Sequence, residues 1–542
     1  MSGCNFFWEI QIEGHGVSRN LELAEAATNH WSAVMLEAQR MRRQRILDLF
    51  SREPARARDM WVEGAGLELD FSKNLIDETA LLSLIDMVEA RALAHERDML
   101  FAGAPVNNTE NQSALHMAFR GTGPEAEVRA AKAARDRACG FARQVRANPA
   151  RFGNVLCLGV GGADLGPRLV IDALAPYAKA GPTVHFVASC DAAELSAVLE
   201  SLDPRTTLLI ITSKSFRTQE TMANARAAYE WLKEAHGGAL PDDAVAAVTA
   251  NRERTREFGV PADMVFDMFE WVGGRYSVWS TASLAAMIRL GPELFTEFLD
   301  GAAAMDRHFQ MAPLRQNLPV LLAVLNIWYV NFMNWSAQAI IPYNFGLSLL
   351  PEYMSQLVME SNGKRVDKAG MALPHATAPV TFGVTGTKAQ HSFFQALHQG
   401  PVPVPVDFIG SLEGAGSIGP KHDVLVANMF AQAEALMTGQ FIEADEGSFD
   451  SHRTCPGNRP TNMILMPRLD ARHLGALVAM YEHRVFVESV IWGINPFDQW
   501  GVELGKTLAG AIAEDLSAGQ VSFGRDPSTT RLMARYLAFK KG

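Results

Sequence analysis

The sequence predicts an α/β protein with two doubly wound parallel sheets, a smaller domain inserted in a larger one, and extensive helical elaboration. Short apolar runs, most of them rich in β-branched residues, occur at 154–160, 183–188, 207–212, 244–250, 339–349 and 405–409. Amphipathic helical patterns separate them, for example at 167–177 and 220–236. Buried strands that alternate with helices are typical of parallel sheets with right-handed crossovers.

Two domains are expected because 542 residues exceed what a single hydrophobic core usually serves. The residue pattern along the chain changes from helical, to strands that alternate with helices, and back to helical. It predicts the N-terminal helical part of the large domain at 1–124 and a small α/β domain at 125–290. The rest of the large domain, with the C-terminal helices, is predicted at 291–542.

Composition narrows the class of protein. The formal net charge of -11 argues against a nucleic-acid partner, which needs a basic face. Five scattered cysteines without CxxC spacing predict reduced thiols, and hence a cytoplasmic protein. The N-terminal residues lack a basic segment followed by an apolar core, so no secretory signal is predicted there.

No charged residue occurs between Gln316 and Pro351. This run contains LPVLLAVLNIWYVNFMNW, which has nearly the length of a membrane-spanning helix. It also contains three asparagines and lacks flanking clusters of lysine or arginine. We therefore expect a helix buried inside a large domain and no membrane partner.

A glycine-rich turn follows the first predicted strand, in CLGVGGADLGPRLV from Cys157 to Val170. Glycines let the backbone approach a ligand, and a helix with Pro167 in its first turn would offer its N-terminus to an anion. A dinucleotide fingerprint would need glycine where the chain has Asp164. Asp191, after the next strand, could still bind a ribose, so a nicotinamide dehydrogenase remains an alternative, as does a turn without ligand.

The strand at 207–212 is followed by Ser213, Lys214, Ser215 and Thr218, and then by a helix. Hydroxyls, backbone amides and a helix N-terminus in one turn suit a phosphate monoester. Ordinary N-capping would explain one of these hydroxyls but not the whole set. Two such loops at the carboxyl ends of one sheet indicate a small phosphorylated ligand.

Arg275 lies in FEWVGGRYSVWSTASL, after two glycines and among Trp271, Tyr276 and Trp279. An arginine held among aromatic rings is positioned to stabilise developing negative charge. Cation–π stacking at a surface is the simpler interpretation of the same pattern.

In LPEYMSQLVMESNGK, helical spacing puts Gln356 and Glu360 together at the edge of an apolar arc, with Glu352 on another face. Helical spacing also puts His391 and His398 on one face of a helix capped by Thr387. Taken alone, Glu360 would be a solvated boundary residue and His391 a surface histidine.

In INPFDQWGVELGK, Gln499 and Lys506 are seven positions apart and share a helix face. Taken alone, Lys506 would be a helix-terminal cation.

These six stretches together resemble the phosphoglucose isomerase family of aldose–ketose isomerases. Their order is that of the family, from FSKNLID at 71–77 to Lys506, and MESNGK and FDQWGVELGK are its most specific segments. The resemblance implies two sugar-isomerase-type domains and a reversible conversion of glucose 6-phosphate to fructose 6-phosphate, in glycolysis and gluconeogenesis.

The resemblance also implies a role for each matching residue. Glu360 would move a proton between C2 and C1 through a cis-enediol, Arg275 would stabilise the enediolate, and His391 with Lys506 would open the sugar ring. His391 would come from the neighbouring subunit of a homodimer. The implied substrate-binding residues are Gly162, Ala163, Ser213, Lys214, Ser215, Thr218, Gln356 and Gln499.

The chain departs from the family pattern at several positions. Ala163 stands where the family usually has serine, and Arg217 replaces a threonine in the second loop. Ser215 replaces threonine, and Lys388 and Ala389 replace Asn-Gly before His391. None of these departures removes a proposed catalytic group.

The residues supply each group that such an isomerisation requires: a base, a cation for the enediolate, an acid–base pair and an anion anchor. No HExxH or comparable grouping occurs among the 14 histidines, so we expect no metal and no other cofactor. Besides a dehydrogenase, a non-catalytic sugar-phosphate-binding module remains an alternative.

Overall fold

The computed structural model describes residues 29–414, 416, 419–443 and 450–541. The N-terminal segment, on which the absence of a secretory signal was predicted, lies outside the described residues. The chain divides into two compact units, Met1–Pro496 and Phe497–Gly542, and each is described by itself.

All the named strands belong to the first unit. They are β1 (Trp61–Gly64), β2 (Leu67–Asp70), β3 (Asn154–Leu158), β4 (Thr183–Val187), β5 (Thr207–Thr212), β6 (Val245–Thr249), β7 (Val265–Asp267), β8 (Ala337–Pro342), β9 (Val380–Phe382), β10 (Val406–Ser411) and β11 (Thr461–Met466).

The first helix, α1, is described over 29–41. In the N-terminal half there follow α2 (Ile46–Arg52), α3 (Arg56–Asp59), α4 (Glu78–Ala90), α5 (Leu93–Phe101), α6 (Glu125–Ala147), α7 (Gly162–Leu174), α8 (Ala192–Glu200), α9 (Gln219–Ala235) and α10 (Arg252–Phe258). Later in the first unit come α11 (Leu284–Leu290), α12 (Pro292–Met311), α13 (Leu318–Ile327), α14 (Leu350–Asn362), α15 (Gly386–Gln390), α16 (Phe394–Gln399), α17 (Lys421–Thr438) and α18 (Ala471–Trp492). The second unit contains α19 (Trp500–Ser517) and α20 (Pro527–Lys541).

The smaller sheet has five parallel strands in the order β4-β3-β5-β6-β7. From β3 the chain proceeds to β4 on one side and then to β5 on the other. The strand order therefore reverses between β3 and β5, and the loops that follow these two strands flank the switch point where ligands of such sheets bind. Both loops carry a predicted anion motif.

The larger sheet has six strands in the order β1-β2-β11-β10-β8-β9. Strands β8 to β11 pair in parallel, whereas β1 and β2 form a hairpin that joins the sheet antiparallel to β11. The doubly wound α/β class is confirmed, and the hairpin makes this sheet mixed rather than purely parallel. An antiparallel addition at the edge of an otherwise parallel sheet is common in such folds.

The charge-free run forms α13, a π-helical turn over Trp328–Phe332, and β8. Every residue of α13 is buried, and Asn326 donates a hydrogen bond to the buried carboxylate of Glu488 at 2.9 Å. Across the described part of the chain, no helix is long and apolar enough to cross a membrane. The prediction of a buried helix is confirmed.

The four strands predicted in the smaller sheet are present within two residues of their bounds. The prediction at 339–349 was too long, because the chain turns after Pro342 into a short 3₁₀ segment, Phe345–Leu347. Five strands were not predicted: β1, β2, β7, β9 and β11. Two of these are only three residues long, and the hairpin strands carry acidic side chains that obscure the apolar signal.

Candidate active site

Glu360 lies near the end of α14, on a helix whose apolar arc is buried. Leu350, Tyr353, Met354, Leu357 and Val358 form this arc, and each is at most 1% exposed. Nε2 of Gln356 donates a hydrogen bond to Oε2 of Glu360 at 2.9 Å, as their helical spacing predicts. The Glu360 side chain is 23% exposed, so a small substrate can reach its carboxylate.

Arg275 faces this carboxylate from a buried position. Its side chain is 1% exposed, and Nη1 lies 3.3 Å from Oε1 of Glu360. Nε donates to the hydroxyl of Ser361 at 2.6 Å, and Nη2 donates to the carbonyl of Pro496. The guanidinium is thus held on three sides, and its positive charge is fixed beside Glu360.

Two tyrosines reinforce this arrangement. The hydroxyl of Tyr276 lies 2.9 Å from that of Ser361, and its ring lies under the Arg275 guanidinium, 5.2 Å from Cζ. The hydroxyl of Tyr353 donates to the backbone carbonyl of Arg275 at 3.1 Å. Burial raises the pKa of both tyrosines, so both keep their protons and serve as neutral hydrogen-bonding groups.

The segment that carries Arg275 is a 3₁₀ helix, Gly274–Trp279, and its far end is also anchored. Nε1 of Trp279 donates to Glu482 at 2.7 Å, and Arg120 donates to the other oxygen of this carboxylate at 2.8 Å. Burial raises the pKa of Glu482 to about 7, and Arg120 limits the rise. The segment is therefore tied to α14 at one end and to α18 at the other.

The first glycine-rich loop touches the Arg275 segment directly. A Cβ atom at Gly162 would overlap the carbonyl of Gly274, so only glycine permits this approach. Gly161 adopts φ 61°, and α7 begins at Gly162 rather than near Pro167, which lies inside the helix. The predicted helix start was wrong because Pro167, the sixth residue of α7, removes one hydrogen bond, to the carbonyl of Ala163, without ending the helix. Ala163 is half-buried in this turn.

Asp164 is buried in the first turn of α7. Its Oδ2 lies 3.5 Å from Arg168, and within the described residues its Oδ1 has no hydrogen-bond partner. Burial raises the pKa of Asp164 to about 6, with Arg168 opposing the rise. Asp191, the candidate ribose-binding acid, instead caps α8 by accepting from the amide of Ala193 at 3.0 Å. Neither aspartate favours a dinucleotide site.

The second loop, 213–218, has the features of an anion site. The hydroxyls of Ser213 and Thr218 lie 3.1 Å apart, while Ser215 is exposed. Thr218 precedes α9 but makes no side-chain capping hydrogen bond, so N-capping does not account for its hydroxyl. Phe216 adopts φ 50° with its side chain buried, a backbone conformation that non-glycine residues rarely adopt and that occurs often at functional sites.

Lys214 points toward the segment before Arg275. Its Nζ donates to the carbonyl of Glu270 at 2.7 Å and lies 3.1 Å from the Glu270 carboxylate. It also donates to the carbonyl of Val272 at 3.4 Å. In this conformation Lys214 connects the second loop to residues 270–272, which precede the Arg275 segment.

His391 is exposed and follows α15 directly. The helix N-cap is Thr385 rather than the predicted Thr387, and a turn over 391–393 separates α15 from α16. The prediction that His391 and His398 share one helix was therefore wrong. The turn lets Phe394 enter the core beside β10, 6.4 Å from the Phe408 ring. Within the described residues, His391 makes no side-chain hydrogen bond or ion pair with the Glu360 cluster.

Gln499 and Lys506 belong to the second unit. Gln499 is the residue before α19, and Lys506 lies two turns into this helix with its Nζ 2.8 Å from Glu503. The Lys506 side chain is 55% exposed. Because Gln499 has a non-helical backbone (φ -150°) and precedes α19, the prediction that the two residues share a face of one helix was wrong.

Three groups of the site were missed from the sequence: the hydroxyls of Ser361 and Tyr353, and the carbonyl of Pro496. Tyr353 was assigned only to the apolar arc, where its hydroxyl was overlooked. Ser361 directly follows Glu360 and falls at helical spacing within the buried arc. A polar residue at such a position was the signal that could have identified it. No sequence signal marks a backbone carbonyl. In the part of the chain that is described, no group of three or more His, Cys, Asp or Glu residues could hold a metal ion.

The fold and this constellation define an α/β enzyme of the aldose–ketose isomerase class. The sequence profile of phosphoglucose isomerase matches residues 70–533. The chain is 45% identical to glucose-6-phosphate isomerase of Burkholderia orbicola (strain MC0-3), over 94% of this chain and 98% of that relative. It is 42% identical to the enzyme of that name from Chlorobium luteolum, over 96% and 99% of the two chains.

A solved structure gives the same result. The crystal structure of a glucose-6-phosphate isomerase from Chlamydia trachomatis superposes with a TM-score of 0.84 and 29% identity, covering 94% of this chain and 98% of that one. The chain belongs to the phosphoglucose isomerase family.

Proposed function

We propose that this chain interconverts D-glucose 6-phosphate and D-fructose 6-phosphate by ring opening and proton transfer through a cis-enediol. The observation that carries the proposal is the Glu360 carboxylate, held between Gln356 and Arg275 at the edge of an apolar helix. A carboxylate with one open side and a fixed cation beside it suits removal of a weakly acidic proton next to a carbonyl.

In the proposed reaction, Glu360 takes the proton from C2 of the open-chain aldose, and the electron pair of the C–H bond forms the enediol double bond. The carbonyl oxygen gains negative charge, which Arg275 stabilises. The proton of the C2 hydroxyl passes to the former carbonyl oxygen at C1, Glu360 returns the first proton to C1, and the C=O bond forms at C2, which gives the ketose. Gln356 orients the carboxylate through its hydrogen bond, so that one oxygen faces the substrate.

The phosphate is proposed to bind at the second loop, where Ser213, Ser215 and Thr218 offer hydroxyls and α9 offers its N-terminus. Gly162 and Ala163 are proposed to line the sugar at the first loop, together with Gln499. Lys214 contributes positive charge at the loop and braces it against Glu270. Binding energy at the unreactive phosphate then positions the reacting carbons.

Conversion of fructose 6-phosphate, coupled to glucose-6-phosphate dehydrogenase, tests the activity through NADPH absorbance. Glu360→Gln should lower kcat by about 10³-fold or more, because the amide cannot accept the proton. Glu352→Gln is the matched control, since Glu352 is exposed on another face of the same helix. Near-normal turnover by Glu360→Gln would overturn the assignment.

We further propose a homodimer in which His391 completes the site of the neighbouring subunit and, with Lys506, opens the sugar ring. His391 is exposed on its own subunit. The second unit exposes large apolar side chains of the kind that association buries, including Trp500, Leu504 and Phe539.

Subunit mixing tests the crossing of His391. Glu360→Gln and His391→Ala are each expected to be inactive, but a mixed dimer would contain one site with both residues intact. Random exchange of equal amounts should restore roughly a quarter of the native activity. Mixing that yields heterodimers without any activity would place His391 in the site of its own chain.

The division into 1–124, 125–290 and 291–542 is proposed as the domain organisation, since the smaller sheet spans 154–267 and the larger sheet draws on the flanking segments. A cytoplasmic location is proposed from the free thiols of the described cysteines, Cys139, Cys157, Cys190 and Cys455.

A further inference from the structure

A cavity of about 630 Å³ lies beside the second loop, between the start of α9 and the short helix α10. Its lining residues are Phe216, Arg217, Gln219, Met222, Arg226, Arg254, Glu257 and Phe258. The hydroxyl residues of the proposed phosphate site are not among them. The volume is within the range of small-molecule sites.

The charge of this cavity is positive. Three arginines and one glutamate line it, which leaves a net charge of +2 on a chain whose overall net charge is -11. Within the described residues, Arg217, Arg226 and Arg254 form no ion pair. By contrast, Arg252, also on α10, is bound through two hydrogen bonds of 2.7 Å to Asp267. Three guanidinium groups without an ion-pair partner among the described residues therefore line this cavity.

Both helices turn one face to the cavity. Gln219, Met222 and Arg226 recur at helical spacing along α9, and Arg254 and Phe258 do so on α10. The cavity therefore has defined walls on two sides.

The apolar part of the wall is rigid. The Phe216 ring is 2% exposed and meets the Phe258 ring edge-on at 5.8 Å, and Tyr229 packs on the same ring at 5.3 Å. The positive φ of Phe216 turns the loop so that Phe216 and Arg217 line the cavity. Aromatic rings and the methionine beside three guanidinium groups suit an organic anion better than a bare ion.

We propose that this cavity is a second binding site, for a small phosphorylated molecule that carries at least two negative charges and is not the substrate. Guanidinium groups bind phosphate oxygens in bidentate fashion, and three of them line this cavity. Phe216 and Arg217, which line the cavity, belong to the second loop, so an anion in the cavity would lie beside the proposed substrate phosphate and repel it. Occupancy would therefore weaken substrate binding without touching the chemistry.

Calorimetry with inorganic pyrophosphate tests the site directly. The protein is first saturated with sorbitol 6-phosphate, which has a phosphate but no carbonyl to enolise and so fills the catalytic site. The proposal expects pyrophosphate still to bind, and expects the double variant Arg226→Ala/Arg254→Ala to weaken this binding about tenfold or more. Arg256→Ala is the matched control, because Arg256 is exposed on α10 and does not line the cavity.

No pyrophosphate binding to the saturated protein, or equal affinity in the double variant, would overturn the second site. Thermal unfolding of both variants checks that the fold is intact, and a single variant, Arg226→Ala, gives the same test if the double variant is unstable.

Kinetics test the coupling, which rests on the proposed function. Pyrophosphate at the second site should raise the KM for fructose 6-phosphate to a plateau and leave kcat unchanged, and the plateau should disappear in Arg226→Ala/Arg254→Ala. A KM that rises without limit in both proteins would show that pyrophosphate binds only at the catalytic site. A protein that binds pyrophosphate through Arg226 and Arg254 but has no isomerase activity would keep the second site and refute the proposed function.

Discussion

The Glu360 cluster and the second loop differ in how their polar groups are satisfied. At the Glu360 cluster, each polar side chain binds another: Arg275 holds Glu360 and Ser361, and Gln356 holds Glu360. At the second loop, the helix N-terminus lacks a side-chain cap, and Ser215 is exposed. Under the proposed function, the comparison means that the base Glu360 and the cation Arg275 are fixed in advance, while Ser215 and the N-terminus of α9 stay open to a ligand.

Arg275→Lys is the strongest test of the contrast between the Glu360 cluster and the second loop. A lysine cannot reach Glu360, Ser361 and Pro496 together, so we expect kcat to fall about 10²–10³-fold with little change in KM. Steady-state kinetics in the coupled assay measures both values, and Arg256→Lys serves as an exposed control. An unchanged kcat would mean that the pre-formed cluster does not determine the rate.

Asp164, at the first loop, sharpens the comparison because its buried carboxylate has little compensation of its negative charge. Its folded pKa of about 6 lies above the ordinary value of 3.8, so its ionisation opposes folding. The contribution of this group to stability is greatest below pH 4, falls as pH rises from about 4 to 6, and is constant above that range. The loss amounts to at most about 3 kcal/mol.

Asp164→Asn should therefore raise the free energy of unfolding at pH 7 and flatten its decline between pH 4 and 6. Urea denaturation at a series of pH values measures the slope. Asp242→Asn, in an exposed loop, is the control and should leave the slope as it is. A variant as pH-dependent as the native protein would refute the raised pKa.

Ser361→Ala tests how much the single hydroxyl oxygen of Ser361 supports the Glu360 cluster. The substitution removes the oxygen that lies 2.6 Å from Nε of Arg275 and 2.9 Å from the Tyr276 hydroxyl, at a cost of about 1–2 kcal/mol. We expect kcat to fall about tenfold, and less than additively when Arg275→Lys is already present. Ser355→Ala is the control on the same helix, since the Ser355 hydroxyl contacts the carbonyls of Pro351 and Thr381 rather than the Glu360 cluster.

Thr218→Val should have the smallest effect. It removes a hydroxyl that contacts Ser213, worth about 0.5–1.5 kcal/mol, from the loop proposed to hold the unreactive end of the substrate. KM should rise several-fold while kcat stays within about twofold. A loss confined to kcat would contradict the assignment of the second loop to binding.

Local patterns predicted those parts of the site that lie within one element. Helical spacing predicted the contact of Gln356 with Glu360, and strand-to-turn patterns predicted both loops near the switch point. The contacts of Arg275 with Ser361 and Pro496 join residues 86 and 221 positions apart, which no local period encodes. The break between α15 and α16 was missed for a related reason, since burial of Phe394 against β10 overrides the local helical pattern.

The close approach of Gly162 to the carbonyl of Gly274 has a consequence for protein engineering. The first loop and the Arg275 segment meet at this point, so a side chain added at 162 would displace Arg275 as well as the first loop. Libraries intended to change the accepted sugar should therefore keep Gly162 fixed and vary Ala163, whose side chain is only half-buried.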